Sequence, residues 1–307
     1  MTEATENSKP NAGAGVPTLR SDLAVLVKLR LNTFVLITAF FGFFIATLSL
    51  GDGWGWPRVL GLFHTLLGTA AAAFGASVFN QLMEIKEDAR MRRTADRPLP
   101  AERVLPVPAF VLGWVLAAFG IIHLAAMVDR AAALLAALTI AIYVFVYTPL
   151  KRRSSVNTLV GAVPGALPPL IGWLGGGGAL EDPRGWFLFV LLFLWQLPHF
   201  VSINWLCREQ YEEAGFRMWS DGDESGRRSG ILAAGFSVAL AALGLVAPLA
   251  GYTGWIFGGL GLGAGLILAA LAVRFAGSGE RFVFRRFFLA TLLYLPVVLT
   301  VLAIDWK

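Results

Sequence analysis

Apolar residues run along this chain in long unbroken blocks, and charge is confined to the gaps between them. The uncharged blocks cover residues 31–50, 59–83, 104–128, 131–150, 154–180, 185–207, 229–273 and 287–304. A helix that crosses a bilayer needs about 20 apolar residues, so each block suffices for one crossing. The longest, 229–273, suffices for two, with a turn at "AGYTGW" (250–255), where Gly and Thr loosen the helix. The pattern predicts nine spanning helices. The blocks lack the in-and-out alternation of a lipid-facing strand, so the predicted fold class is an all-α polytopic membrane protein of nine helices. The polar inner ends of helices 2 and 6 and the basic inner ends of helices 4 and 8 suggest two four-helix halves around a central cavity, with a ninth helix added.

Composition agrees with this pattern. The chain of 307 residues is 57% hydrophobic and 15% charged, where a soluble domain is about a quarter charged. Residues 1–19 are polar, rich in Gly, Pro and Ala, and predict a disordered tail. Residues 20–307 form a single membrane domain. Between them, "SDLAVLVKLRL" (21–31) fits either a short amphipathic helix on the membrane surface or the first turns of span 1. Of the 25 Lys and Arg residues, 21 lie on the side of the N-terminus and four, Arg58, Arg130, Arg184 and Lys307, on the other. Basic loops stay in the cytoplasm, so the N-terminus is expected inside a cell (inner) membrane and the C-terminus outside. The basic balance is thus a topology signal and does not imply nucleic acid. Cys207 is the one cysteine, which excludes an internal disulfide and a cysteine metal cluster.

One gap stands out. Residues 84–103 hold eleven charges in twenty positions, directly after 25 uncharged residues. Asn80, Glu84 and Asp88 recur every four residues, which on a helix makes one polar stripe at the inner end of span 2. A solvated loop would explain the carboxylates alone. Asn80 argues against that, because it carries the stripe back into apolar sequence, where polar groups are costly. Oxygen ligands in such a row suit Mg²⁺, which takes carboxylates together with substrate phosphate oxygens. Arg90, Arg92, Arg93 and Arg97 follow, and guanidiniums favour phosphate oxygens. The expected ligand is a metal-bridged diphosphate or polyphosphate. "RPLP" (97–100) is expected to stop the helix.

The stretch N-x3-E-x3-D-x2-M-x-R-T-x2-R-P-L resembles the first signature of the UbiA-type intramembrane prenyltransferases, in the branch that farnesylates heme. "YTPLKRRSSVNTLVGAVPGALPPLIGW" (147–173) and "WQLPHFVSINWLCREQYEEAGFRM" (195–218) are similar to its next two stretches. The resemblance covers about residues 20–304. It implies transfer of farnesyl from farnesyl diphosphate to a vinyl group of heme b, with Mg²⁺ as cofactor. It implies that Asn80, Glu84 and Asp88 hold metal on one side and residues near Glu209 and Gln210 on the other. Arg90, Arg93, Arg97, Lys151 and Arg152 would bind the diphosphate. Tyr143, Tyr147 and Trp195 would face an allylic cation, with Tyr211 a further substrate contact. Heme A synthase or terminal oxidase assembly would be the downstream partner. The third stretch departs from the family, which has an acidic residue where Gln210 stands; Glu209, Glu212 or Glu213 would then supply the second carboxylate. The alternatives are an aromatic quinone precursor or another tetrapyrrole as acceptor, or a transporter of phosphorylated metabolites.

Three further features carry expectations. His199, after Pro198 within span 6, either ligates the heme iron or bonds a backbone carbonyl that Pro198 frees. His64 and His123 are expected to make a helix–helix contact. The run 175–178, four glycines, is expected to be a flexible outer loop.

Overall fold

The computed structural model describes residues 17–307 except Asp52; most of the expected tail, 1–16, lies outside the described residues. The chain folds as α1 (Leu19–Leu26), α2 (Leu29–Ser49), α3 (Trp56–Met83), α4 (Ile85–Arg90), α5 (Pro106–Met127), α6 (Arg130–Ala141), a π-helix (Ile142–Tyr147), α7 (Thr148–Leu150), α8 (Asn157–Ala166), α9 (Pro168–Gly175), α10 (Pro183–Leu206), α11 (Arg208–Ala214), α12 (Arg227–Leu249), α13 (Trp255–Ser278) and α14 (Arg281–Ile304). Among the described residues, nine helices are long and apolar enough to cross a membrane, and no strand forms. The expected number of spans holds.

Two spans are interrupted. The fourth passes through the π-helix. The fifth breaks at Leu167, before Pro168 and Pro169, whose rings and missing N–H groups cannot continue it. The segment 21–31 divides between the two alternatives: up to Leu26 it belongs to a separate short helix, α1, and residues 29–31 are the first turn of span 1. Thr18 caps α1, and the chain then turns through Lys28 in the left-handed conformation, φ 49°. Gln81 fastens α1 to the end of α3 by donating to the carbonyls of Val25 (2.9 Å) and Leu26 (2.7 Å). Asn32 donates to the carbonyl of Val27 (2.7 Å) and the hydroxyl of Ser77 (2.9 Å).

Small residues let the helices approach closely, as expected where lipid gives little hydrophobic drive to association. A Cβ on Gly172 would sit 1.9 Å from the carbonyl oxygen of Ala39, and one on Gly42 would sit 1.9 Å from that of Pro169. Gly176 and Gly178 pack against Phe43 and Trp173, so that end of the expected flexible loop is tightly packed instead. His64 and His123 meet with their ring nitrogens 3.1 Å apart, bridging α3 and α5.

Candidate active site

The acidic stripe is not one helix. Span 2 ends at Met83; Glu84 turns the chain (φ −111°, ψ 16°), and α4 runs on to Arg90. The helix therefore stops seven residues before the expected "RPLP". The turn nevertheless carries the three side chains to one buried place: Asn80, Glu84 and Asp88 are 0%, 3% and 1% exposed. The solvated-loop alternative is thereby removed.

Each oxygen donor in the stripe meets a cation. Lys28 donates to Asn80 Oδ1, and to the Tyr143 hydroxyl at 3.2 Å. Lys151 Nζ lies 2.7 Å from Glu84 Oε1. Arg97 Nη1 lies 2.6 Å from Asp88 Oδ2. Asn80 Nδ2 donates to Thr148 Oγ1 (3.0 Å), whose own proton goes to the Tyr143 carbonyl (2.8 Å). That arrangement fixes the amide with its oxygen toward Lys28. Breaking a buried pair such as Glu84–Lys151 costs about 3–5 kcal/mol, because it strands the other charge.

Burial sets the electrostatics. It pulls the Lys28 ammonium down to about 7, and the positive field of Arg97 adds to this. Burial pushes the Asp88 carboxyl up against the opposing pull of Arg97. For Glu84, burial pushes the same way, but the ammoniums of Lys151 and Lys28 outweigh it and hold the carboxyl below the usual range. Burial would lower Lys151, yet the Glu84 carboxylate keeps it above the ordinary lysine value.

Aromatic faces line one side. Tyr143 and Tyr147 stack at 5.5 Å between ring centres. They come from the π-helix, a rare geometry that often marks functional sites. Lys151 Nζ lies 4.7 Å from the Tyr147 ring centre. Gly161 gives that ring its room, since a Cβ there would come within 2.5 Å of it. From the far side, Arg93 donates its backbone N–H to Gln210 Oε1 (3.3 Å), and its guanidinium reaches the Tyr211 hydroxyl at 3.4 Å.

Several expected residues lie elsewhere. Glu209 points outward, its side chain 68% exposed, and pairs with Arg208 at 3.2 Å. Glu212 and Glu213 are exposed too, so none of these three glutamates faces the stripe. Gln210 is an acceptor for Arg93. Arg90 is exposed at the end of α4. Arg152 is committed to Glu87 (2.9 Å) and to the Met83 carbonyl (2.7 Å), which closes the end of α3. Trp195 and His199 lie deeper, His199 roughly 10 Å inside the end of α10 by helical rise. Trp195 donates to the Thr291 carbonyl (2.7 Å). His199 Nδ1 is 2.9 Å from Thr291 Oγ1. That hydroxyl donates to the Phe288 carbonyl (2.6 Å), so Nδ1 must be the donor and Nε2 keeps its lone pair. The partner is thus a hydroxyl and not the expected backbone carbonyl.

Lys28 and Thr148 were missed in the sequence. Lys28 and Arg30 both interrupt a largely apolar stretch and nothing local singles out Lys28; its left-handed turn and its reach across 52 residues leave no local trace.

The donor set fits one Mg²⁺. Asn80, Glu84 and Asp88 offer hard oxygens only, and Mg²⁺ completes such a set with phosphate oxygens and water. Among the described residues no group of three or more His, Cys, Asp or Glu side chains is placed to hold a metal. The residues therefore suit an ion whose remaining ligands are diphosphate oxygens and water.

Fold and site together define a polytopic helical membrane protein that gathers buried carboxylates, cations and aromatic faces at one rim of its bundle. The UbiA prenyltransferase family model matches residues 24–304, and the chain belongs to that family. It is 41% identical over 286 residues to a protoheme IX farnesyltransferase of Opitutus terrae, covering 93% of this chain and 94% of the relative. It is 42% identical to one from an Anaeromyxobacter species, covering 92% of each. Among solved structures it resembles a digeranylgeranylglyceryl phosphate synthase (TM-score 0.76, 12% identity, 93% of this chain and 98% of that one). It also resembles a UbiA homolog from Archaeoglobus fulgidus bound to GPP and Mg²⁺ (TM-score 0.62, 16% identity, 92% and 99%).

Proposed function

We propose that this prenyltransferase moves a farnesyl group from farnesyl diphosphate to a vinyl group of protoheme IX, giving heme O and diphosphate. The observation that carries this reading is the buried cluster of Asn80, Glu84 and Asp88 with Lys28, Lys151 and Arg97, in a chain whose relatives at 41–42% identity bear that name. Those names weigh against an aromatic quinone precursor or another tetrapyrrole as acceptor. The gathering of charge at one rim weighs against a transporter, whose binding elements lie near the midplane.

The diphosphate binds at the rim with the isoprenoid tail among the helices. Asn80, Glu84 and Asp88 would hold a Mg²⁺, which would supply positive charge where the leaving group develops negative charge. Lys28, Lys151 and Arg97 donate to phosphate oxygens as the leaving group takes the electron pair of the C–O bond. The ring faces of Tyr143 and Tyr147 stabilise the allylic cation by about 0.5–2 kcal/mol each. The vinyl π-electrons then form the new C–C bond, and water captures the cation left on the porphyrin side chain and loses a proton. His199 Nε2 is available to the heme iron, and Arg93 with Tyr211 closes the far side. We assign residues 20–307 to one membrane domain in a cell (inner) membrane, with the site facing the cytoplasm. Heme A synthase or an assembling terminal oxidase would take the product.

Membranes holding the protein, incubated with heme b, farnesyl diphosphate and Mg²⁺, should yield heme O by chromatography, and a chelator should stop it. Absence of product in both conditions would reject the reading. Lys28→Met removes one charged donor to the diphosphate, worth about 1.5–3 kcal/mol. It should raise the KM for farnesyl diphosphate roughly ten- to a hundredfold. An unchanged KM would place Lys28 outside the site.

A further inference from the structure

A basic cavity of about 540 Å³ opens beside the site, between the segment after α7 and the segment before α12. Arg153, Arg217 and Arg228 line it, with Ser154, Ser155 and one carboxylate, Asp221. Asp221 Oδ1 already accepts from the Met218 N–H at 2.9 Å. Arg228 is steadied by the Trp219 carbonyl at 2.7 Å. Arg153 and Arg217 are exposed, and no carboxylate among the described residues lies in ion-pair reach of either. Three guanidiniums against one carboxylate leave a surplus suited to a dianion, and the serine hydroxyls add neutral donors. A second cavity of about 410 Å³ shares Arg228 and Leu232 and adds Ile231, Arg227 and Asp223, whose carboxylate is already taken by the N–H groups of Arg228 (3.4 Å) and Ser229 (2.8 Å). The ligand that fits is a pair of anionic oxygens on an apolar body.

The cavity and the carboxylate cluster share a wall. The Arg217 N–H donates to the Lys151 carbonyl at 2.6 Å. Asn157 Nδ2 clamps the same junction, donating to the carbonyls of Arg217 (2.6 Å) and Ser154 (2.7 Å). Lys151 and Phe216 face the cluster side, with the ammonium 5.3 Å from the ring centre. Arg153 and Arg217, next along the same two segments, face the cavity. An anion held in the cavity is therefore registered against the reacting groups through two short backbone segments.

We propose that this cavity binds the two propionates of the porphyrin acceptor and so decides which part of the macrocycle reaches the farnesyl carbon. This rests on the function proposed above. Protoheme IX carries its propionates on the two pyrroles opposite those bearing the vinyls, so anchoring one edge presents the other. Anionic lipid headgroups share the same chemistry, and the test separates the two.

The measurement is binding of protoheme IX and of its dimethyl ester, followed by absorbance, and farnesyl transfer to each. Wild type and Arg153→Gln/Arg217→Gln are compared in vesicles of phosphatidylcholine with and without phosphatidylglycerol. Wild type should bind the free acid at least about tenfold more tightly than the ester, the worth of one to two charged hydrogen bonds. The double variant should lose that preference while its Kd for the ester and its KM for farnesyl diphosphate stay within about twofold. An unchanged acid-to-ester ratio in the variant overturns the proposal. So does a variant whose only defect is a lost response to phosphatidylglycerol. If wild type prefers the acid through these arginines yet transfers farnesyl to neither acceptor, the anion site stands and the proposed reaction falls. If it transfers to both with no such preference, the reaction stands and the anion site falls. Both side chains are exposed and make no hydrogen bond that folding needs, so the thermal midpoint should be that of wild type.

Discussion

Asp88→Asn is expected to lower Mg²⁺-dependent farnesyl transfer roughly a hundred- to a thousandfold, the loss typical of removing one charge-stabilising group from a preorganised site. Asparagine keeps the size of the side chain and can still accept from Arg97, so the 2.6 Å contact weakens without leaving a hole. What disappears is the negative charge, at a position 1% exposed, where solvent cannot replace it. The defect should fall mainly on kcat, and the Mg²⁺ concentration needed for half-maximal rate should rise. Arg97 is 21% exposed, so losing its partner leaves it partly hydrated and the protein folded. Initial rates across a Mg²⁺ titration, with the thermal midpoint recorded in parallel, check this. Near-normal turnover would remove Asp88 from the metal site.

Gly172→Ala is expected to destabilise the bundle by about 3 kcal/mol, the upper end for overpacking, and to cut the yield of monodisperse protein in detergent. The new methyl would lie 1.9 Å from the Ala39 carbonyl oxygen and 2.9 Å from the Phe43 nitrogen. Both obstacles are backbone, so no side chain can rotate away, and α2 must separate from α9. Gly42→Ala meets the Pro169 carbonyl at 1.9 Å on the same interface. Once one methyl has parted the helices the second costs less, so the double variant should fall short of the sum of the singles. Gly235→Ala and Gly259→Ala have nothing within 4 Å of the new methyl. They should be neutral or gain up to about 1 kcal/mol from helix propensity. Thermal midpoints of the four single variants decide the matter; equal shifts at all four would sink the packing argument.

The nine spans were legible because a bilayer imposes a strong one-dimensional rule. Each crossing must be apolar and must satisfy its own backbone hydrogen bonds, so the blocks of residues 59–83 and 104–128 announce themselves. Asn80, Glu84 and Asp88 were legible as a group for the related reason that polar atoms rarely stand at the end of such a block without cause. The shape of the stripe was not legible. Nothing local marks Glu84 as a turn, since the sequence continues in residues that favour helix through Arg90. The third stretch, 195–218, misled more. Glu209 has the right charge near the expected place, but its direction depends on where α11 begins, and that follows from how Leu206 and Cys207 end α10.

Sequence alone determined that this chain lives in a membrane, that it crosses nine times, and that one rim carries opposed charges suited to a diphosphate. Those properties follow from hydropathy and spacing, which are written residue by residue. Tertiary structure decided which charge meets which: Lys28 with Asn80, Lys151 with Glu84, Arg97 with Asp88, Arg152 diverted to Glu87 and Glu209 turned out to solvent. Such pairings depend on the approach of helices separated by as many as 67 residues in the chain, set by small residues at their contacts, and no local pattern encodes that distance.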